Sequence, residues 1–149
     1  MADGSATARE PAVPRLAATI ILVREDPFQV LMAERHSETV IASALVFPGG
    51  TVSADDADAA WDPHLDRAEG LEAAERALRI AAVRETWEEA GILLAPGAGA
   101  CPSPADGQSF RDVVAGLGVR LDLGVLHKIG HWITPLPAPR RFDTHFYVA

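Results

Sequence analysis

Apolar residues along this chain fall into blocks with two periods. From Leu16 to Arg24 nearly every position is apolar, and several are β-branched, as expected of a strand buried on both faces. Asp26-Pro27 predicts a turn, and Gln29 to Glu34 a second strand completing a hairpin. Ala44 to Val46 lead into Phe47-Pro48-Gly49-Gly50, where the paired glycines let the backbone come close to a ligand. The period then changes. Leu71 to Ala90 is rich in Ala, Leu, Glu and Arg and predicts a long helix that stops at Gly91. Within it Ile80, Val83 and Trp87 share one arc and must face a core. Ser109 to Ala115 predicts a short helix with Ser109 as N-cap. Leu121 to Ile129 predicts a strand that continues or bends at Gly130 into His131-Trp132-Ile133-Thr134. Three prolines between Pro135 and Pro139 form a turn or extended loop, and Phe142 to Ala149 a final strand. Ala95 to Gly107 is a loop by composition, and Met1 to Arg15 a disordered arm with nothing to bury.

The polar positions of the long helix carry the chemistry. Glu85, Glu88 and Glu89 fall together on a different arc from the apolar one at 100° per residue, with Arg84 between the two. Carboxylates stacked at i, i+3 and i+4 repel, each pair costing a few tenths of a kcal/mol, roughly. Such a face is either solvated surface or the seat of a cation. All-oxygen ligation suits Mg²⁺ or Mn²⁺ better than zinc. Two features favour the cation: Arg84 directly precedes the cluster, and Phe47-Pro48-Gly49-Gly50 lies upstream.

These residues carry a resemblance. Arg84-Glu85-Thr86-Trp87-Glu88-Glu89-Ala90-Gly91-Ile92 is similar to the second half of the Nudix box, and Phe47-Pro48-Gly49-Gly50 resembles its opening. The resemblance implies an α/β fold, an α/β/α sandwich around a mixed β-sheet, and metal-dependent hydrolysis of a diphosphate attached to a further group. The spacing departs from the pattern. Gly50 to Ile92 takes about 43 residues where the usual box takes about 23, so roughly 20 are inserted, at about 51–70. The middle glutamate of the box corresponds to Asp56 if counted from the loop. Counted back from the helix it falls on Arg76, with Glu75 and Glu72 as neighbours. The insertion, Trp132-Ile133-Thr134-Pro135 and the later Arg140-Arg141-Phe142-Asp143-Thr144 resemble the branch containing peroxisomal coenzyme A diphosphatases and bacterial relatives.

Composition narrows the setting. A chain of 149 residues is one domain, here residues 16–149 behind an arm of 1–15. A net charge of −8 argues against nucleic acid or an anionic membrane as partner. The single cysteine, Cys101, permits no internal disulfide and no cysteine-based zinc site, which suits a reducing cytoplasm. The apolar run Ala17 to Val23 is too short to span a membrane, and no export leader precedes it. The inserted stretch is acidic, with Asp55, Asp56, Asp58, Asp62 and Asp66. It reads as a solvated loop or short helical turns, or as a substrate-side lid anchored by Trp61; His64 is read as surface rather than ligand. The resembling fold continues past the last strand seen here, so the expected sandwich is abbreviated at the C-terminus. A homodimer burying Leu121 to Ala149 is then the expected way to cover the sheet.

The expected activity is a Mg²⁺- or Mn²⁺-dependent hydrolase that cleaves a phosphoanhydride in a small-molecule diphosphate substrate, by attack of water on phosphorus. The metal ligands are Glu85 and Glu89, the Gly50 carbonyl, and Glu88 either as a third ligand or as the base that activates water. Glu88, Glu89 and Arg84 form the catalytic set, with Arg84 orienting Glu85 or Glu88. Arg35, Phe47 and Gly49 are the expected substrate contacts. The coenzyme A-cleaving branch carries a signature ahead of Phe-Pro-Gly-Gly that Leu31-Met32-Ala33-Glu34-Arg35-His36 matches in part. Val40 stands where an Arg is expected and Ala44 near the expected Gly. Coenzyme A-type and nucleoside-diphosphate-linked substrates both stay open. The competing readings are a Nudix-like module that binds or senses a diphosphate without turnover, and a structural acidic helix.

Overall fold

A computed structural model of the chain describes residues 12–35, 44–98 and 107–149. Its centre is a four-stranded mixed sheet. Strand β1 (Arg15–Ile21) lies between β6 (Gly49–Thr51), antiparallel to it, and β10 (Phe142–Val148), parallel to it; β9 (His127–Ile133) closes the far edge, antiparallel to β10. Strand β10 therefore lies inside the sheet beside β1, and these two inner strands help to place the site. The strand expected over Leu16 to Arg24 breaks after Ile21. Its tail, β2 (Val23–Arg24), pairs with β3 (Gln29–Val30) as a small hairpin, and β4 (Ala33–Arg35) pairs with β5 (Ala44–Val46).

The long helix α1 (Ala73–Ala90) crosses one face of the sheet, over β1 and β6. Gly91 ends it at φ 67°, and its N–H donates to the Trp87 carbonyl at 2.9 Å, the left-handed stop that the sequence predicts. Ala77, Ala81 and Ala82 are buried along the helix, as is Ala18 beneath it on β1; small side chains here let helix and sheet approach closely. The one buried hydroxyl of the helix, Thr86, is satisfied by the Ala82 carbonyl at 2.8 Å. Helix α2 (Phe110–Leu117), capped by Ser109 through the Asp112 N–H, packs Phe110 against Trp87 with ring centroids 5.2 Å apart.

The acidic stretch after Thr51 takes the short helical turns expected of it, with Trp61 buried in the core. It folds into two short 3-10 turns, Asp55–Ala57 and Ala59–His64, and strand β7 (Leu65–Asp66). Trp61 is 0% exposed, lies 5.5 Å from the Phe110 ring, and donates its indole N–H to the Asp55 carbonyl. Removing a core tryptophan typically costs about 3–5 kcal/mol, so this residue holds the segment into the core. Arg76 ties it to α1 through Asp62 and the carbonyls of Ala57 and Asp58. The strand expected over Leu121 to Ile129 is also interrupted. Strand β8 (Leu121–Asp122) pairs with β7, then Asp122 accepts the Gly124 N–H and bends the chain into a 3-10 turn before β9 begins. Gly130 stays in β9, and the irregularity falls opposite Phe146 and Tyr147. Among the described residues no helix is long and apolar enough to cross a membrane.

Candidate active site

The register of the sheet builds the site. Gly49 pairs with Thr19 and Gly50 with Ala18, and the C-terminal half of α1 runs past both glycines. The Gly49 N–H donates to Glu89 Oε2 at 3.1 Å. At Gly50 the approach is closer: a methyl group there would lie within 2.6 Å of both Glu85 carboxylate oxygens. The sequence placed these glycines and this helix together, and the structure brings them into contact.

Arg84 is the hub. Its Nε and Nη2 donate to the two oxygens of Asp56, each at 3.0 Å, and Nη2 also donates to the Thr51 carbonyl at 3.0 Å. Its remaining terminal nitrogen, Nη1, reaches Glu85 at 2.8 Å and Glu88 at 2.9 Å. Burial works against the guanidinium charge, but the Asp56 hydrogen bonds and the charges of Asp56, Glu85 and Glu88 outweigh it and raise its pKa further. Asp56 is itself fully buried and accepts the Ser53 N–H at 2.7 Å. The two placements left open for the middle carboxylate are thereby separated. Asp56 sits on Arg84, whereas Arg76 is committed to Asp62 and to carbonyls of the added segment. Counted this way, the extra residues begin after Asp56.

The charge balance of the face is unequal. One guanidinium stands among four carboxylates, those of Asp56, Glu85, Glu88 and Glu89. Burial pushes the Glu85 carboxyl above the usual range; Arg84 opposes this, while Glu88 and Glu89 add to it. The three glutamates line one face, but they are not drawn together to single-ion distance. Arg84 holds Glu85 and Glu88.

The expected substrate contacts divide. Phe47 and Gly49, with Thr19, Val46 and Phe146, line an open cavity of about 330 Å³. By strand alternation this is the face opposite α1, so Gly49 meets Glu89 through its N–H and the cavity through its α-carbon. Arg35 ends β4 opposite Ala44; its side chain, together with His36, Glu38 and Val40, lies outside the described residues. A second cavity of about 380 Å³ lies at the β2–β3 hairpin and reaches Ile92, just past the helix end, but no carboxylate lines it. Glu75, a neighbour of the second candidate position, belongs elsewhere. It bonds Arg79, the Tyr147 hydroxyl and Lys128 at the other end of the helix. Sequence reasoning missed the Asp56–Arg84 pair and a His131–Asp143–His145 group on β9 and β10. An Asp-x-His alternation in the last strand was the available signal for the latter.

The two glycines should respond differently to alanine. At Gly49 the added methyl meets backbone, the Ala18 carbonyl at 2.5 Å and the Thr19 Cα at 2.7 Å, which cannot yield without moving β1. At Gly50 it meets the end of a flexible side chain. Gly49→Ala is therefore expected to lower the melting temperature by several degrees, roughly, the scale of an overpacked core. Gly50→Ala should melt close to wild type while displacing Glu85 and losing activity. Equal melting temperatures for the two variants would contradict this geometry.

The comparisons with known proteins agree on one family. No family model matches the chain. The chicken (Gallus gallus) acyl-coenzyme A diphosphatase NUDT19 is 31% identical over an alignment of 180 positions, covering 81% of this chain and 48% of that protein. The human (Homo sapiens) protein of the same name is 38% identical over 96 positions, covering 48% of this chain and 26% of that protein. The crystal structure of a NUDIX hydrolase from Alicyclobacillus acidocaldarius superposes with a TM-score of 0.67 at 28% identity, covering 92% of this chain and 69% of the other. The chain thus spans about half the length of the chicken relative and about a quarter of the human one.

Proposed function

The chain belongs to the Nudix family, with relatives among the coenzyme A diphosphatases, and from that premise we propose that it is a Mg²⁺- or Mn²⁺-dependent hydrolase of a phosphoanhydride in a coenzyme A-type diphosphate. The observation that carries the reading is the Arg84 hub. It is fixed from behind by Asp56 and the Thr51 carbonyl, and in front it holds Glu88 and Glu85, the latter beside Gly50. A guanidinium bound on both sides cannot swing, so it limits how far the carboxylates it holds must move to reach a common ion.

The donor set fits a hard divalent cation. Every candidate ligand is oxygen: Glu85, Glu89, Glu88 and the Gly50 carbonyl. The missing Cβ of Gly50 is what admits the Glu85 carboxylate to the loop. A bound Mg²⁺ or Mn²⁺ supplies neutralisation of the diphosphate charge, without which no anionic group approaches phosphorus. The chain's own residues do the rest. Glu85, the most enclosed of the trio, and Glu89, fixed by the Gly49 N–H, would hold the cation once drawn together. Glu88, whose side chain is 39% exposed, takes the proton of the attacking water. Phe47 and Gly49 line the cavity that receives the group beyond the diphosphate, and Arg35 stands on the neighbouring hairpin to meet a phosphate.

The test is an assay for mononucleotide or phosphate release across coenzyme A esters, dinucleotides and sugar nucleotides, with Mg²⁺, with Mn²⁺ and with chelator. Turnover of coenzyme A esters that chelator abolishes is the expected result. Saturable binding of those esters without release of any product would instead identify a diphosphate-binding module.

A further inference from the structure

The face of the sheet that carries α1 also holds a second group of ligand-type side chains. On β9 and β10, His131 and His145 are direct cross-strand partners. Asp143 lies two residues before His145, so all three project from one face. The two imidazole rings are 4.4 Å apart between centroids. Both Nε2 atoms point at the same oxygen, Asp143 Oδ1: that of His131 in direct contact and that of His145 at 3.5 Å. One ligand atom from each residue lies within 4.8 Å of the other two.

Protein partners leave this group unfinished. One carboxylate oxygen serves two rings, and His145 Nδ1 is buried without a hydrogen-bond partner, a costly state for a polar atom. Lys128, the nearby cation, is engaged by Glu75 at 3.3 Å.

We infer that His131, Asp143 and His145 form a binding site for a divalent cation of the Zn²⁺ class, separate from the glutamate face of α1. Two imidazoles and one carboxylate suit Zn²⁺ or Co²⁺, whereas Mg²⁺ prefers oxygen alone. Three protein ligands leave one position of a tetrahedral shell open to water. Ligand atoms around such an ion, at about 2.0–2.1 Å from it, lie roughly 3.4 Å from one another. Side chains already within 4.8 Å reach that spacing by small rotations. The ion would join β9 to β10 close to the irregularity at Phe146 and Tyr147. The register sets His145 beside Ala18 and Ala18 beside Gly50. Two strand spacings, roughly 10 Å at about 4.8 Å each, therefore separate His145 from Gly50. Paired catalytic ions sit only about 3.5–4 Å apart, so this is not the second member of a pair at the glutamates.

The test is calorimetric titration of the full chain with Zn²⁺, and with Co²⁺ followed by visible absorption, in excess Mg²⁺. One saturable site per chain is expected. Loss of an outer-shell partner alone weakens metal binding about 10–100-fold, so His131→Ala and Asp143→Asn should each cost at least about tenfold. The Glu85→Gln/Glu89→Gln double variant should bind Zn²⁺ as wild type does. The His131 side chain is 45% exposed, so its removal leaves the core intact even if His145→Ala does not fold. The inference is overturned by a wild-type chain with no saturable Zn²⁺ binding. It is equally overturned by binding that persists unchanged in His131→Ala and Asp143→Asn, or that disappears in the glutamate double variant.

Discussion

Glu89→Gln and Glu85→Gln are each expected to lower kcat/KM by about 10²–10³, the usual cost of deleting one preorganised electrostatic element, with the fold preserved. Gln keeps the shape and the Gly49 N–H contact available to residue 89, but removes the charge that offsets a divalent cation. Glu75→Gln is expected to cost less than about tenfold, the lower end of outer-shell effects. Glu75 lies roughly 15 Å from Glu85 along the helix at 1.5 Å per residue. Its bonds to Arg79, Tyr147 and Lys128 belong to packing at the other end of α1. Burial raises its carboxyl pKa, but those three partners outweigh burial and leave it lowered. Steady-state kinetics on the three variants, with circular dichroism to establish folding, check the contrast. A Glu75→Gln loss as large as that of Glu89→Gln would mean that the box is aligned incorrectly.

How far the sequence announces the site differs from element to element, for physical reasons. Helix α1 was legible because it depends on local rules: a 3.6-residue period, good helix formers and a glycine stop. Its glutamate arc followed from the same period. The Ser109 cap was legible on the same grounds. Asp56 was not, because its role depends on a pairing 28 residues away, and two ways of counting through the insertion were equally consistent with the chain. Trp61 misled for a related reason. Among acidic neighbours it suggests a lid, but Phe110, 49 residues later, supplies the aromatic surface that draws it inward. The break of the expected strand at Asp122 escaped notice because the side-chain turn to Gly124 overrides a run of β-formers. His131 and His145 meet only through strand register, which alternation alone does not fix.

Asp56→Asn is expected to destabilise the fold by about 3 kcal/mol, whereas Glu88→Gln costs less than about 1 kcal/mol, although both carboxylates bind the same guanidinium. The difference is burial. Asp56 is fully enclosed, and the Arg84 side chain is only 12% exposed. Breaking such a pair from one side strands the other charge, at about 3–5 kcal/mol. The lower end applies because Arg84 keeps Glu85, Glu88 and the Thr51 carbonyl. Asn returns one oxygen, but it presents an amide to donors: Arg84 Nε, Arg84 Nη2 and the Ser53 N–H all point at the carboxylate of residue 56. Glu88, by contrast, is partly solvated, and water replaces much of what Gln cannot accept. Urea unfolding is the measurement, with the midpoint displaced and the slope unchanged for a two-state loss of native stability. Arg84→Lys should resemble Asp56→Asn, since a single ammonium cannot serve Asp56 bidentately while also reaching Thr51 and Glu88. The double variant Asp56→Asn/Arg84→Lys should lose less than the sum of the two, because each removes the same contact. Additive losses would show that Asp56 and Arg84 act separately, and the support behind Glu85 would have to come from the rest of the helix.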